Sequence, residues 1–135
     1  MKGSVYLDTG IFIAFLNRRD QWHQQAVALF GTPNPKWCTS LLVVSEAYSW
    51  FLHRMGEEAA RSFRLLTDTL VGLKLFAATT NHHLMVVKML DRFRGAKLTY
   101  VDASSLCFLE ENKIHRVWAT DRHLGLTGAE ILPRI

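Results

Sequence analysis

Val5-Tyr6-Leu7-Asp8-Thr9-Gly10-Ile11-Phe12-Ile13-Ala14-Phe15-Leu16 joins a short apolar run to a carboxylate, a Thr-Gly pair and a second, longer apolar run. The first part reads as a buried strand that ends at Asp8, and Ile11 to Leu16 reads as a short buried helix directly behind it. A strand passing at once into a helix is the first half of a βαβ unit. In a parallel α/β sheet the carboxyl edge of the strands is where ligands bind, because strand ends and helix N-termini converge there on a crevice. Asp8 is thereby delivered to the edge where chemistry is done.

Working outward, Asn17-Arg18-Arg19-Asp20 is a polar break, and Trp22, Ala26, Leu29 and Phe30 recur at helical spacing. Gly31-Thr32-Pro33-Asn34-Pro35 stops that helix, since neither proline can continue the hydrogen-bond ladder. Trp37-Cys38-Thr39 reads as a strand, and Ser40 as the cap of a helix with Val43, Ala47, Trp50 and Phe51 on its apolar stripe. Gly56 ends it and Glu57-Glu58 open another, with Ala59, Phe63, Leu66 and Leu70 inward. Leu73 to Ala78 is a predicted strand. Thr79 or Thr80 caps a helix running to about Phe93 with Leu84, Val87 and Leu90 buried, and Gly95 closes it. Leu98 to Val101 leads to Asp102, which begins a helix carrying Leu106 and Leu109 inward. Arg116 to Thr120 is a strand ending at Asp121, and Ile131-Leu132 is a last edge strand. The alternation predicts a mainly parallel sheet covered by helices.

The chain has 135 residues and 15.4 kDa, with 49% hydrophobic and 21% charged residues. That is one domain, residues 1–135, able to bury roughly two-thirds of its unfolded surface without staples. The longest uninterrupted apolar run has six residues, Ile11 to Leu16, and no leader precedes Asp8, so the sequence predicts a soluble cytoplasmic protein without membrane contact. Cys38 and Cys107 match neither a disulfide framework nor a zinc spacing and read as buried thiols. Sixteen Lys and Arg against 12 acids give +4 and a pI near 9.3, which suits an anionic partner or a solvated basic surface.

Only 12 acids are present, and four of them, Asp8, Glu46, Asp102 and Asp121, fall on or beside strand-helix junctions. In a right-handed α/β layout these positions can face one another across the carboxyl edge of the sheet. Clustered carboxylates repel, which favours a bound cation, and oxygen ligands alone favour Mg²⁺ or Mn²⁺ over zinc. Such an ion can lower the pKa of water and stabilise an in-line attack on phosphorus. Each acid also has an ordinary reading: Asp102 as a helix cap, Asp121 as the opener of the turn to His123, Glu46 as a partner of Arg54. Asp8 is the hardest to explain so, because a carboxylate after a buried strand needs partners or a metal.

The segment from Leu7 to Asp20, Ser45-Glu46-Ala47, Tyr100-Val101-Asp102-Ala103-Ser104 and Ala119-Thr120-Asp121-Arg122-His123 resemble, in order, the successive motifs of the PIN-domain nucleases, and more narrowly the VapC-type toxins. The resemblance implies a three-layer α/β/α sandwich and Mg²⁺- or Mn²⁺-dependent cleavage of RNA. It implies that Asp8, Glu46, Asp102 and Asp121 are the catalytic, metal-holding quartet, with Thr9 and Ser104 helping to position ligand or water. It also implies a small antitoxin partner and a homodimer. Many members carry phenylalanine three residues after the last acid, where this chain has Leu124.

Arg18, Arg19, Lys88, Arg92, Arg94 and Lys97 are candidates for a basic rim that binds the RNA backbone, with Arg122 beside the last acid; Lys88 and Arg92 can equally solvate a helix face. Trp22, Trp37, Trp50 and Trp118 can stack on bases or pack in the core, and His123 reads first as a solvated surface residue and second as a group that can reach a substrate phosphate. The alternatives are a PIN relative working alone in RNA processing, or a domain that binds RNA or a partner without cutting. Asp8-Thr9-Gly10 is also the triplet of aspartic proteases. A nearly all-β fold would be required there, and the helical periodicity from Trp22 to Leu109 speaks against it.

Overall fold

The computed structural model describes residues 1–33 and 35–133, so Asn34 of the predicted break and the last two positions of the chain lie outside the described residues. Its elements are β1 (Ser4–Leu7), α1 (Thr9–Leu16), α2 (His23–Phe30), β2 (Lys36–Ser40), α3 (Leu41–Met55), α4 (Glu57–Thr69), β3 (Lys74–Phe76), α5 (Thr80–Arg92), α6 (Tyr100–Glu111), β4 (Arg116–Trp118), a 3₁₀ turn at Arg122–Gly125 and β5 (Glu130–Leu132). The five strands lie in the order β3-β2-β1-β4-β5, and every pairing is parallel. Strand order therefore reverses at β1 and β4. That seam is the topological switch point, where a doubly wound sheet opens a crevice at its carboxyl edge.

Side-chain alternation sorts the layers. Trp37 and Trp118 project to the face covered by α1 to α4, where they pack on Phe30, and a run of aromatic contacts continues through Phe12 and Phe63 to Phe51 and Trp50. Tyr6 points the other way, to α6, where its hydroxyl meets Ser105 Oγ at 2.8 Å. Burial on both faces explains why Val5, Tyr6 and Leu7 follow one another without a charged residue and why all four residues of β1, Ser4 included, are excluded from solvent. The tryptophans thus belong to the core or its margin, in keeping with the packing alternative. Leu124 is also fully buried, so the departure from phenylalanine is absorbed by packing.

Local chemistry fixes the boundaries. Ser40 Oγ accepts from the Val43 amide and starts α3, and Gly56, at a φ of +97° that penalises any side chain, turns α3 into α4. Three expectations need correction. The buried stripe of α5 is His82, Val86 and Met89, whereas Leu84 and Val87 are 55% and 41% exposed. His82 occupies a core position because it stacks on Phe108 with ring centroids 4.1 Å apart, so an apolar-only reading set the helix face off by two residues. Helix α6 begins at Tyr100, not Asp102: the Thr99 hydroxyl caps it, and Asp102 returns the bond in a capping box. Helix α1 begins at Thr9, so Asp8 directly precedes its first residue. Among the described residues no helix is long and apolar enough to cross a membrane.

Candidate active site

Asp8 leaves β1 at the switch point, its amide donating to the carbonyl of Trp118 at 3.0 Å, which ties it to the end of β4. Three residues beyond Trp118 stands Asp121. Gly10 makes this approach possible, because a Cβ there would overlap the Thr120 hydroxyl. From the neighbouring strand, α3 brings Glu46, whose Oε1 accepts the Thr9 hydroxyl at 2.6 Å. From the opposite layer, α6 brings Asp102, with Oδ2 accepting the Thr99 amide at 3.3 Å. The His123 amide donates to Asp121 Oδ1 at 2.9 Å. Three of the four acids are therefore held by a neighbouring donor, as the turn and capping readings of Asp102 and Asp121 expected in part, and those bonds leave other carboxylate oxygens free.

Asp8 is different. It is 4% exposed, and its Oδ1 is buried without a hydrogen-bond partner. Burial pushes its pKa up to about 7; the charges of Asp102, Glu46 and Asp121 push in the same direction, against the Thr9 amide that favours the carboxylate. Asp102 is raised as well, by burial first and then by Asp121, against its bonds to Thr99 and the proximity of His123. Asp8 thus lies within electrostatic reach of the other three acids, and Asp102 within that of Asp121. An orphaned buried carboxylate oxygen within electrostatic reach of three further acids is the situation that a divalent cation relieves, so the residues fit such an ion.

His123 enlarges the cluster. Its Nδ1 lies 3.1 Å from Asp121 Oδ1 and 3.6 Å from Asp102 Oδ2, and ligand atoms of these three residues fall within 4.8 Å of one another. The distances are those of an ion pair, yet the angles are not those of a hydrogen bond, and Nδ1 stays without a hydrogen-bond partner. The sequence suggested a solvated His123, with reach to a substrate phosphate as the lesser alternative, and a donor set of oxygen alone. The turn at Asp121 brings the imidazole back among the acids.

The other candidates divide. Thr9 lies in the site and holds Glu46. Ser104 is fully buried and turned away, its Oγ 2.7 Å from His82 Nε2 between α5 and α6, so it does not line an accessible site. Arg92 makes two 3.0 Å bonds to Glu110, eight residues and roughly 12 Å of helix beyond Asp102, which corrects its place on a rim around the acids. Arg94, Lys97 and Arg122 are exposed; Lys97 precedes the Thr99 cap by two residues and Arg122 follows Asp121. Arg18 and Arg19 line a cavity of about 560 Å³ with Trp50 and Arg54, whose guanidinium lies 6.0 Å from the indole centroid. Arg54 therefore joins the basic group and does not pair with Glu46. Glu46, Trp50 and Arg54 recur every four residues on α3, a spacing that was visible in the sequence. Cys38 and Cys107 are buried, with their thiol pKa values raised to about 12 and about 11 chiefly by burial, and remain protonated bystanders.

Known structures bear on this arrangement. The crystal structure of VapC20 from Mycobacterium tuberculosis, described as a toxin that cleaves the sarcin-ricin loop, superposes with a TM-score of 0.86 at 23% identity, covering 94% of this chain and 97% of that one. At that identity the likeness is one of fold. No curated protein sequence matches the chain. The sequence model of the PIN domain matches residues 5–129, a span that takes in β1 from Val5 onward, all six described helices, β4 and each of the four acids. A doubly wound parallel sheet, four carboxylates at its switch point and a family model covering nearly the whole sequence agree, and the chain belongs to the PIN domain family.

Proposed function

We propose that this protein is a metal-dependent endoribonuclease that hydrolyses RNA phosphodiester bonds and serves as the toxin of a toxin-antitoxin pair. The observation that carries the reading is Asp8: a buried carboxylate with an unpartnered oxygen, within electrostatic reach of Glu46, Asp102 and Asp121. Family membership and the fold shared with VapC20, described as an RNA-loop-cleaving toxin, support the reaction class.

In this reading Asp8, Glu46, Asp102 and Asp121 hold Mg²⁺ or Mn²⁺, which would supply a lowered water pKa and positive charge against the phosphoryl oxygens. The chain's own groups prepare the site. Thr9, the Thr99 amide and the His123 amide fix three carboxylates before substrate arrives, so little reorganisation is left for the reaction. Arg18, Arg19 and Arg54 make no ion pair among the described residues and are free to bind the phosphate backbone, with Trp50 beside them. Lys97 and Arg122 extend the cationic surface near the acids, and Arg94 adds a further exposed cation beyond the end of α5. An antitoxin and a second copy of the chain are the protein partners of this reading, and the exposed Leu84, Met85 and Val87 on α5 offer the kind of apolar surface such partners cover.

The test is induction of the wild-type chain and of Asp8→Asn in cells, followed by sequencing of RNA 5′ ends. Discrete new ends and growth arrest with the wild type, absent with Asp8→Asn, support the proposal. Identical RNA profiles for the two chains contradict it and favour a domain that binds without cutting.

A further inference from the structure

We infer that His123 is a direct nitrogen ligand of the cation held by this site, which makes its donor set mixed oxygen and nitrogen and selects Mn²⁺ over Mg²⁺. The inference rests on the metal-dependent reading above and adds to it a residue and an ion preference. Four observations carry it. His123 Nδ1 stands 3.1 Å from Asp121 Oδ1 and 3.6 Å from Asp102 Oδ2. Ligand atoms on adjacent corners of an octahedron with bonds near 2.0–2.1 Å lie about 3 Å apart, so these spacings are those of groups sharing one ion. The Nδ1 atom is buried and lacks a hydrogen-bond partner, although two carboxylates adjoin it. Asp8, itself 4% exposed and within electrostatic reach of Asp102 and Asp121, carries a second unpartnered atom, Oδ1.

The local backbone explains the placement. Asp121 bonds the His123 amide, which folds the chain into the 3₁₀ turn Arg122–Gly125, and Leu124 is anchored in the core immediately after it. The imidazole is thereby fixed beside the carboxylates. Mg²⁺ prefers oxygen donors and gives up its water reluctantly, whereas Mn²⁺, equally at home among carboxylates, takes a nitrogen donor more readily than Mg²⁺ does, so one nitrogen in the set tips the choice between these two ions toward Mn²⁺.

The full chain is loaded with Mn²⁺ alone and examined by pulsed electron paramagnetic resonance for coupling to ¹⁴N, and Mn²⁺ and Mg²⁺ affinities are measured by titration calorimetry. Expected is a ¹⁴N coupling in the wild type that vanishes in His123→Gln, with Mn²⁺ affinity falling on the order of tenfold or more and Mg²⁺ affinity changing about twofold at most. Mn²⁺ bound without ¹⁴N coupling, or a coupling that survives in His123→Gln, overturns the inference and leaves the four-acid site standing. No Mn²⁺ binding in the millimolar range overturns the metal-dependent reading itself, and this inference with it.

Discussion

The Thr9 hydroxyl donates to Glu46 Oε1 at 2.6 Å, joining the first residue of α1 to the middle of α3 across 37 positions of sequence. Thr9 is a positioning residue: it fixes the one quartet acid that arrives on an exposed helix face. Thr9→Val keeps the volume and removes the donor. Loss of a single bond to a solvent-accessible carboxylate should change stability by about 1 kcal/mol or less, while a displaced catalytic group slows cleavage on the order of tenfold. Thr9→Ser should restore the rate, with single-turnover cleavage and denaturant melts as the two readouts.

Asp8 makes stability depend on pH in an unusual direction. Its pKa in the folded chain is about 7, against an ordinary value of 3.8, so the native state holds the proton more tightly than the unfolded one. The stabilisation is fully present below the ordinary value and is lost as pH rises through the folded one. In chelator, stability should therefore decline between about pH 4 and pH 7, by at most on the order of 4 kcal/mol from this group. Asp8→Asn should flatten that decline. Denaturant unfolding of both chains across this range checks it, and Mn²⁺ should reverse the loss in the wild type by binding the deprotonated site.

Gly10 permits α1 to begin against the end of β4, and a methyl group there would collide with the Thr120 hydroxyl. Gly10→Ala should destabilise the fold by about 1–3 kcal/mol through this overpacking. Thr120→Ala removes the oxygen that collides, so the double variant should recover part of the loss. A coupling energy of at least about 0.5 kcal/mol in the double-mutant cycle is expected, and strict additivity would exclude the contact as the cause.

Arginines of similar appearance in the sequence should behave differently. Arg18→Gln and Arg54→Gln remove unpaired cations beside Trp50, and each should weaken RNA binding and lower the salt slope by about one. Arg92→Gln breaks a pair with Glu110 at the far end of α6 and should leave binding unchanged. Filter binding from low to moderate salt, with catalysis suppressed by chelator, separates the three.

The elements that follow from local signals were legible in the sequence. Val5 to Leu7 followed by Asp8 marked a strand end, and Asp102 and Asp121 marked similar junctions, so the parallel fold and the convergence of four acids could be reasoned from single residues. Features made by distant partners were not legible. His82 became a core residue only by stacking on Phe108, which rotated the expected face of α5. Ser104 was claimed by that same His82, Arg92 by Glu110, and Thr9 by Glu46. The turn from Asp121 to His123 was expected, but the approach of the imidazole to Asp102 on another helix was not. In each case the deciding contact is a side-chain geometry that composition and periodicity do not encode.

In the proposed reaction Asp8, Glu46, Asp102 and Asp121 form the hydrolytic centre of a divalent-metal-dependent ribonuclease. The most direct test is cleavage of a panel of single-stranded and structured RNAs, ribosomal fragments included, by purified wild type, Asp8→Asn and Asp121→Asn, with Mn²⁺ or with chelator. Cleavage by the wild type with Mn²⁺ alone, abolished in chelator and reduced at least about a hundredfold in both folded variants, is the predicted result. Cleavage that persists undiminished in chelator, or in either variant, would contradict the account.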